Sequence, residues 1–386
     1  MERRTALITG AAGFLGSFLT AALLNRGWQV YALVRGKPDR LVGTLITHEL
    51  LDEPSALRRL TVLEGDVTRP LLGLSSSTID TMLRKVTDVW HCATIFDIAT
   101  SRRKALFDTN IVGTRHALDL AHALTAQPIR FHFISTAYCG LEIQDTCFER
   151  LSDRNDGDFR TAYEWSKSNA ERIAIAAREK QHLDVRIYRP SIIAGHSLNG
   201  KSLGFNGYQG VFRALYILRR MLQNTFGYEF DRNLRLRISA NPNLRLNLVP
   251  VDYVVDAMLY LADQKAPDAP IFNITHPSGN QLSELFDHGA KELGLNGIQL
   301  SGRHDFIRLP KSSLERLFER QIKFQAPYIM QSLSFSTTNF AETISDRLLH
   351  APVLSTAYFD RMNQALLNRL EEEFENAATE TEGLAS

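Results

Sequence analysis

Thr5-Ala-Leu-Ile-Thr-Gly10-Ala-Ala-Gly13-Phe-Leu-Gly16-Ser-Phe-Leu-Thr-Ala-Ala-Leu-Leu-Asn25 decides the reading of this chain. Thr5–Thr9 is a short β-prone run. Three glycines at intervals of three follow it, and then Phe18, Leu19, Ala22 and Leu23 recur at helical spacing. The stretch therefore predicts a strand, a tight turn and a helix, with Gly27 at the expected C-terminal cap. Gln29-Val-Tyr-Ala-Leu-Val34 reads as a second strand, which makes one βαβ unit and implies a parallel sheet buried on both faces. Glycines in such a turn let the backbone bend sharply, approach a pyrophosphate closely and pack helix against strand. The free N–H groups and dipole of the helix N-terminus favour an anion there. The segment predicts nucleotide binding.

Outward from that unit the alternation continues. Leu60–Leu63, Asp88–His91, Ile129–Ile134 and Asp184–Tyr188 read as strands, and Ile79–Lys85, Asn110–Leu124 and Ala162–Glu179 read as helices. The expected fold class is α/β, a Rossmann-type doubly wound parallel sheet with a smaller, mainly helical C-terminal lobe. After Pro190 the rhythm breaks. The glycine-rich segment 195–210 suggests a mobile loop covering a site. Residues 207–226 form an amphipathic helix with Val211, Leu215, Leu218 and Leu222 on one side and Arg213, Arg219 and Arg220 elsewhere. A helix at 252–261 and a late strand at 270–275 come next. The expected division is a cofactor domain at 1–190 with 247–275 returning to it, a substrate lobe at 191–246 and 276–375, and a flexible acidic tail at 376–386.

Composition bounds the function. The chain has 386 residues, 44 Lys+Arg against 43 Asp+Glu, a formal charge of +1 and a hydrophobic fraction of 44%. That is ample apolar surface to offset ordering entropy, so disorder as the dominant state is excluded. The balance also excludes a whole-protein electrostatic attraction to nucleic acid. Cys92, Cys139 and Cys147 are too few and too scattered for a disulfide framework or a CxxC metal site, so no metal is expected. No run approaches the ~20 apolar residues of a membrane span, and Ala6–Ile8 ends at a glycine turn instead of extending into a signal sequence. A cytoplasmic protein is expected.

Three further features carry chemistry. The second strand ends at Ala32-Leu-Val-Arg35, with Gly36-Lys37 next and no acid before Asp39. A dinucleotide site selective for NAD usually places a carboxylate there, whereas a guanidinium suits a 2′-phosphate; this predicts NADPH. Asp66, after the third strand, is a candidate for the adenine amino group and equally an ordinary turn aspartate. Tyr163-Glu-Trp-Ser-Lys167 places a phenol and an ammonium four residues apart on one helical face. A cation there favours phenolate and lowers the tyrosine pKa toward working pH, as acid/base catalysis requires. A strand ending Ile134-Ser-Thr136 precedes it and offers a hydroxyl to hold a carbonyl oxygen.

Taken together, these features resemble the extended short-chain dehydrogenase/reductase superfamily. Gly65-Asp-Val-Thr-Arg-Pro-Leu-Leu-Gly-Leu-Ser75, His91-Cys-Ala-Thr94, Thr109-Asn-Ile-Val-Gly-Thr114, Ser135-Thr-Ala-Tyr-Cys139 and Pro250-Val-Asp-Tyr-Val-Val-Asp256 resemble its fatty acyl-CoA reductase (male sterility) and thioester reductase branch. The resemblance implies pyrophosphate binding by Gly10, Gly13 and Gly16, the 2′-phosphate on Arg35, and adenine on Asp66 and Val67. It adds Phe14, Leu15, Ala93, Pro190 and Ile193 to the cofactor-binding set, together with Tyr163 and Lys167. Catalysis falls to Thr136, Tyr163 and Lys167, with Ser135 the alternative hydroxyl donor.

The resemblance fades after about Ile274. With the glycine motif beginning nine residues in, a freestanding enzyme is expected rather than a multidomain synthetase. The function implied is NADPH-dependent reduction of an acyl thioester, presented by coenzyme A or a carrier protein, to an aldehyde and on to an alcohol. Hydroxyl/ketone oxidoreduction of the steroid-dehydrogenase type stays open, as does a non-catalytic NADP-binding regulator. Arg213, Arg219, Arg220 and Lys201 are candidates for the phosphates of coenzyme A or phosphopantetheine, a solvated helix face being the simpler reading.

Overall fold

The computed structural model describes residues 4–97, 100–124, 129–142, 145–205, 207–227, 234–344 and 350–385. Its central sheet has seven parallel strands: β1 (Thr5–Thr9), β2 (Gln29–Val34), β3 (Leu60–Glu64), β4 (Asp88–His91), β5 (Arg130–Ile134), β6 (Asp184–Pro190) and β7 (Ile271–Ile274). Their spatial order is β7-β6-β5-β4-β1-β2-β3. The chain winds outward from β1 in one direction and then, from β4, in the other. The strand order therefore reverses between β1 and β4, the point at which open α/β sheets bind ligands beyond the carboxyl ends of their strands. Every residue of β1, β4 and β7 is buried, as a sheet covered on both faces requires.

Two compact units divide the chain: Met1–Ser191, Val254–Thr275 and Ser334–His350 in the first, Ile192–Tyr253, His276–Leu333 and Ala351–Ser386 in the second. This corrects the expected boundaries. The return to the sheet unit begins at residue 254 instead of 247, and residues 334–350 pack on the sheet unit instead of the lobe. Polar contacts hold that excursion. Ser334–Phe335 pairs in parallel with Thr146–Cys147, Asn273 Nδ2 donates to the Ser336 carbonyl (2.8 Å), and the buried Glu149 carboxylate accepts the N–H groups of Asn273 (2.8 Å) and Asn339 (2.6 Å).

The second unit has its own core, including Phe212, Leu215, Leu236, Leu285, Phe318, Met362 and Leu366. It is less purely helical than expected. Leu236–Ser239 pairs with Ile298–Ser301, Ile192–Ala194 with Leu248–Pro250, and Arg245–Leu246 with Asn280–Gln281. The helix Tyr208–Phe226 forms as its apolar spacing predicts. Its arginines do not converge: Arg213 lies over the Phe205 ring at 5.5 Å, and Arg220 over Phe374 at 4.8 Å. The last helix, Thr356–Ala385, continues through most of the stretch read as a flexible acidic tail, and Ser386 lies outside the described residues. No helix among the described residues is long and apolar enough to cross a membrane.

Candidate active site

The glycine turn follows β1 at the strand-order reversal. Gly10 has φ +68°, and a Cβ on it would sit 2.6 Å from the Ala93 nitrogen, so both conformation and space require glycine. A Cβ on Gly16 would collide with the Gly10 carbonyl oxygen. Gly13 differs. Its φ of −80° suits any residue, and the nearest atom to an added Cβ is the Gly10 oxygen at 3.2 Å. Packing alone does not demand glycine there, and the bare backbone leaves room for the close approach of a ligand. The helix Phe14–Asn25 begins at this point with Phe14 and Leu15, with no side-chain cap at Gly13 and no acidic residue in its first turn. Its leading N–H groups and positive dipole end suit a pyrophosphate.

Beyond β2 and β3 lie the residues expected at the other end of a dinucleotide site. Gly65 N–H donates to the Val34 carbonyl (3.0 Å), which brings Arg35 beside Gly65 and Asp66. Arg35 is exposed. Asp66 Oδ1 accepts from Thr68 N–H (2.9 Å) and Thr68 Oγ1 (2.8 Å). Burial raises the Asp66 carboxyl, but the Thr68 hydrogen bonds and the nearby Arg35 and Arg69 outweigh this and hold it below the usual carboxylate range. Val67 is buried, and its carbonyl accepts from His116 Nδ1 (3.0 Å).

The proposed catalytic groups sit at the end of β5 and on the helix Ala162–Gln181, whose N-cap Thr161 hydroxyl accepts from Glu164 N–H (3.1 Å). Ser135 and Thr136 are both buried. The Ser135 hydroxyl lies 3.7 Å from Cys139 Sγ, whereas the Thr136 hydroxyl has no hydrogen-bond partner among the described residues. Lys167 is buried and donates to the Ile134 carbonyl (2.6 Å), its Nζ lying 4.7 Å from the centre of the Phe133 ring. Burial pushes its ammonium down to about 8, although Cys139, Glu171 and Cys92 act in the other direction. Tyr163 packs edge-on against Phe96 with ring centroids 4.8 Å apart.

The expected lowering of the phenol pKa is not found. Burial pushes the Tyr163 phenol up, and Cys139 and Glu164 add to this. The physical reason is that desolvation of the phenolate dominates while the Lys167 ammonium is spent on a backbone carbonyl. A phenol so raised remains protonated.

Three supports were missed in the sequence. Asn110 is buried in a π-helical turn, Phe107–Val112. Its Nδ2 donates to the Ile95 carbonyl (3.0 Å) and Ser166 Oγ (2.9 Å), and its Oδ1 accepts from Ile95 N–H (2.9 Å) and Thr94 Oγ1 (3.0 Å). One amide thus joins the loop after β4 to the Tyr163 helix. The signal was present in Thr109–Thr114, although nothing in its spacing assigns the asparagine a contact. Arg189 and Glu171, both fully buried, form a bidentate pair at 2.8 and 2.6 Å between β6 and the same helix. His91 is buried with Nδ1 2.8 Å from Thr9 Oγ1. Burial, with Lys167 adding, pushes it down to about 3, so it is neutral.

Ala93 N–H donates to Thr9 Oγ1 (3.3 Å) beside the glycine turn, and Pro190 ends β6. Ile193 lies on the short strand Ile192–Ala194 of the second unit.

Comparison with known proteins follows the same lines. A family profile described as male sterility protein matches residues 8–258. Fatty acyl-CoA reductase 1 of Rattus norvegicus is 25% identical over 410 aligned residues, covering 93% of this chain and 75% of that protein. The similarity thus extends past residue 274, where the motifs fade. A component of the linear gramicidin synthase of Brevibacillus parabrevis is 33% identical over 207 residues, which is 51% of this chain and 4% of that protein. Among solved structures, the terminal R domain of the myxalamid PKS-NRPS pathway superposes with a TM-score of 0.76 at 22% identity, covering 95% of this chain and 91% of that one. This last likeness is one of fold.

Proposed function

This chain belongs to the male sterility protein family, within the extended short-chain dehydrogenases/reductases, and from that premise we propose that it reduces an acyl thioester with NADPH, releasing thiol and aldehyde. It is an NAD(P)-dependent oxidoreductase. The observation that carries the proposal is the contrast at the end of β5: Ser135 is engaged by Cys139, while the neighbouring Thr136 hydroxyl is uncommitted and the Tyr163 phenol is held protonated.

When bound, the nicotinamide supplies the hydride. The Gly10–Gly16 turn and the helix behind it hold the pyrophosphate, Arg35 the 2′-phosphate, and Asp66 with Val67 the adenine. Thr136 and Tyr163 hold the thioester carbonyl oxygen as fixed donors where negative charge develops, the arrangement that lowers such barriers most. Tyr163 gives its proton to that oxygen. Lys167, anchored on the Ile134 carbonyl, binds the ribose. Collapse of the hemithioacetal expels the thiol of coenzyme A or of a carrier, and the aldehyde, itself a carbonyl, fits the same groups for a second round to the alcohol.

The test offers the full chain with NADPH a panel of acyl-CoAs, carrier thioesters, aldehydes and ketones, following the reduced-cofactor absorbance. Thioester and aldehyde turnover is expected. Turnover of ketones alone would overturn the proposal. Tyr163→Phe should lower kcat by about 10³-fold with NADPH affinity unchanged; unaltered kcat would remove Tyr163 as the acid.

A further inference from the structure

We propose that Arg69 is a second cation of the 2′-phosphate site, reaching it from the loop after β3 while Arg35 reaches it from the end of β2. The proposal deepens the NADPH reading and rests on it. The loop is built in an unusual way. Arg69 N–H donates to the Asp66 carbonyl (3.0 Å), Leu72 N–H to the Arg69 carbonyl (3.0 Å), and Asp66 N–H to the Leu72 carbonyl (2.9 Å). The chain therefore closes on itself directly beside the residue that faces Arg35. To do so, Leu71, Leu72 and Gly73 all take left-handed backbone angles, with φ of 48°, 60° and 70°.

Glycine adopts that region freely, but two successive leucines do so only under strain that the surroundings must hold. The strain brings Gly73 back against Arg69: a Cβ on Gly73 would stand 3.3 Å from Arg69 Cδ. The arginine stem thus runs along bare backbone, close to Asp66, with its guanidinium exposed.

Arg35, Lys37, Arg40 and Arg69 are all exposed cations. None forms an ion pair among the described residues, so proximity must separate them. Arg35 and Arg69 both lower the Asp66 carboxyl, Arg35 from the strand end held to Gly65 by the Val34 carbonyl and Arg69 from the closed loop. Two guanidiniums from neighbouring strand ends act on the single charge of Asp66, which leaves net positive charge there to suit a phosphate monoester dianion. Each can offer it a planar pair of N–H donors. An adenosine lacking the 2′-phosphate gives them nothing to bind, so the pair distinguishes NADPH from NADH.

The experiment titrates the full chain with NADPH, NADH, adenosine 2′,5′-bisphosphate and ADP, reading affinity by calorimetry. Arg69→Ala should weaken NADPH and the bisphosphate about tenfold and leave NADH and ADP within about twofold. The unchanged NADH affinity shows that the variant is folded. Lys37→Ala should leave all four unchanged. Arg35→Ala combined with Arg69→Ala should bring NADPH down to the level of NADH. If Arg69→Ala spares NADPH while Arg35→Ala weakens it, the second cation is refuted and the NADPH reading stands. If the unmodified chain binds NADH as tightly as NADPH, the cofactor reading itself falls and takes this inference with it.

Discussion

Gly10–Gly16 and Gly195–Gly210 are both glycine-rich stretches that follow a strand, and both read from composition as loops serving a ligand. Inside the molecule they are built for different ends. In the second, a Cβ on Gly200 would lie 2.5 Å from Met362 Cα, one on Gly210 would lie 2.6 Å from the Phe205 carbonyl oxygen, one on Gly195 would strike the Gly200 carbonyl, and one on Gly207 would strike Ile192 Cγ2. Each of these glycines is there because another part of the same unit lies against it. The segment is packed into the second unit, not the mobile cover its composition suggested. In the first stretch Gly10 and Gly16 are also required by neighbouring backbone, yet Gly13 between them faces almost nothing. Glycine marks a close approach in both. The stretch that leaves one approach unfilled is the one suited to a ligand.

The comparison breaks most visibly at Gly200. Gly200→Val places a branched side chain at φ +69° and against the Met362 backbone. Left-handed strain and overpacking together should cost about 3 kcal/mol or more. Thermal unfolding should show a large loss, while the protein that remains folded keeps its NADPH affinity. A silent Gly200→Val would mean that the segment yields, which restores the reading of a mobile cover.

Gly13→Ala should do the reverse. With an ordinary φ and a single tight contact, to the Gly10 carbonyl oxygen, stability should change by no more than about 1 kcal/mol, well below the Gly200→Val loss. The added methyl should nevertheless stand where the pyrophosphate approaches and weaken NADPH by about tenfold or more. A stability loss with unaltered NADPH affinity would move Gly13 into the packed class.

What was legible in the sequence follows from the kind of force involved. All seven strands of the sheet were readable, because a parallel sheet covered on both faces needs continuous apolar runs, and Val30, Val89, Phe131 and Ile187 supply them. The glycine turn, Arg35 and the Tyr163/Lys167 spacing were readable because each is local. The return of residues 334–350 to the sheet unit was not. Two-residue strands and amide or carboxylate side chains such as Glu149, Asn273 and Asn339 hold it, and these leave no periodicity. Asn110 escaped for a related reason: the motif around it was visible, but its four hydrogen bonds join segments far apart in the chain. The Lys167 contact failed in a more instructive way. Helical spacing puts it on the face of Tyr163, yet spacing says nothing of the Ile134 carbonyl that accepts its hydrogen bond.

That misplaced expectation leads to the smallest effect, a slope in stability against pH that marks the first unit and not the packed glycine segment. Lys167 is a buried ammonium pushed down to about 8; in the unfolded chain a lysine titrates near ~10.4. Below about pH 8 both states are protonated and the folded state bears the full cost of burying the charge. Between about 8 and the unfolded value the folded chain has shed a proton that the unfolded chain still carries, so stability rises with pH across this window. The slope from one group cannot exceed about 1.4 kcal/mol per pH unit. Unfolding of the cofactor-free protein in denaturant should show this rise as a difference: from pH 7 to 10 the parent chain should gain stability relative to Lys167→Met, a comparison that cancels the opposite slope of the buried Cys92, Cys139 and Cys147 thiols, and the variant should lose activity. A variant with the same slope as the parent chain would show that Lys167 is solvated and loses its proton as an ordinary lysine does. The unfilled space beside Gly13 and the buried cation would then have to be explained separately.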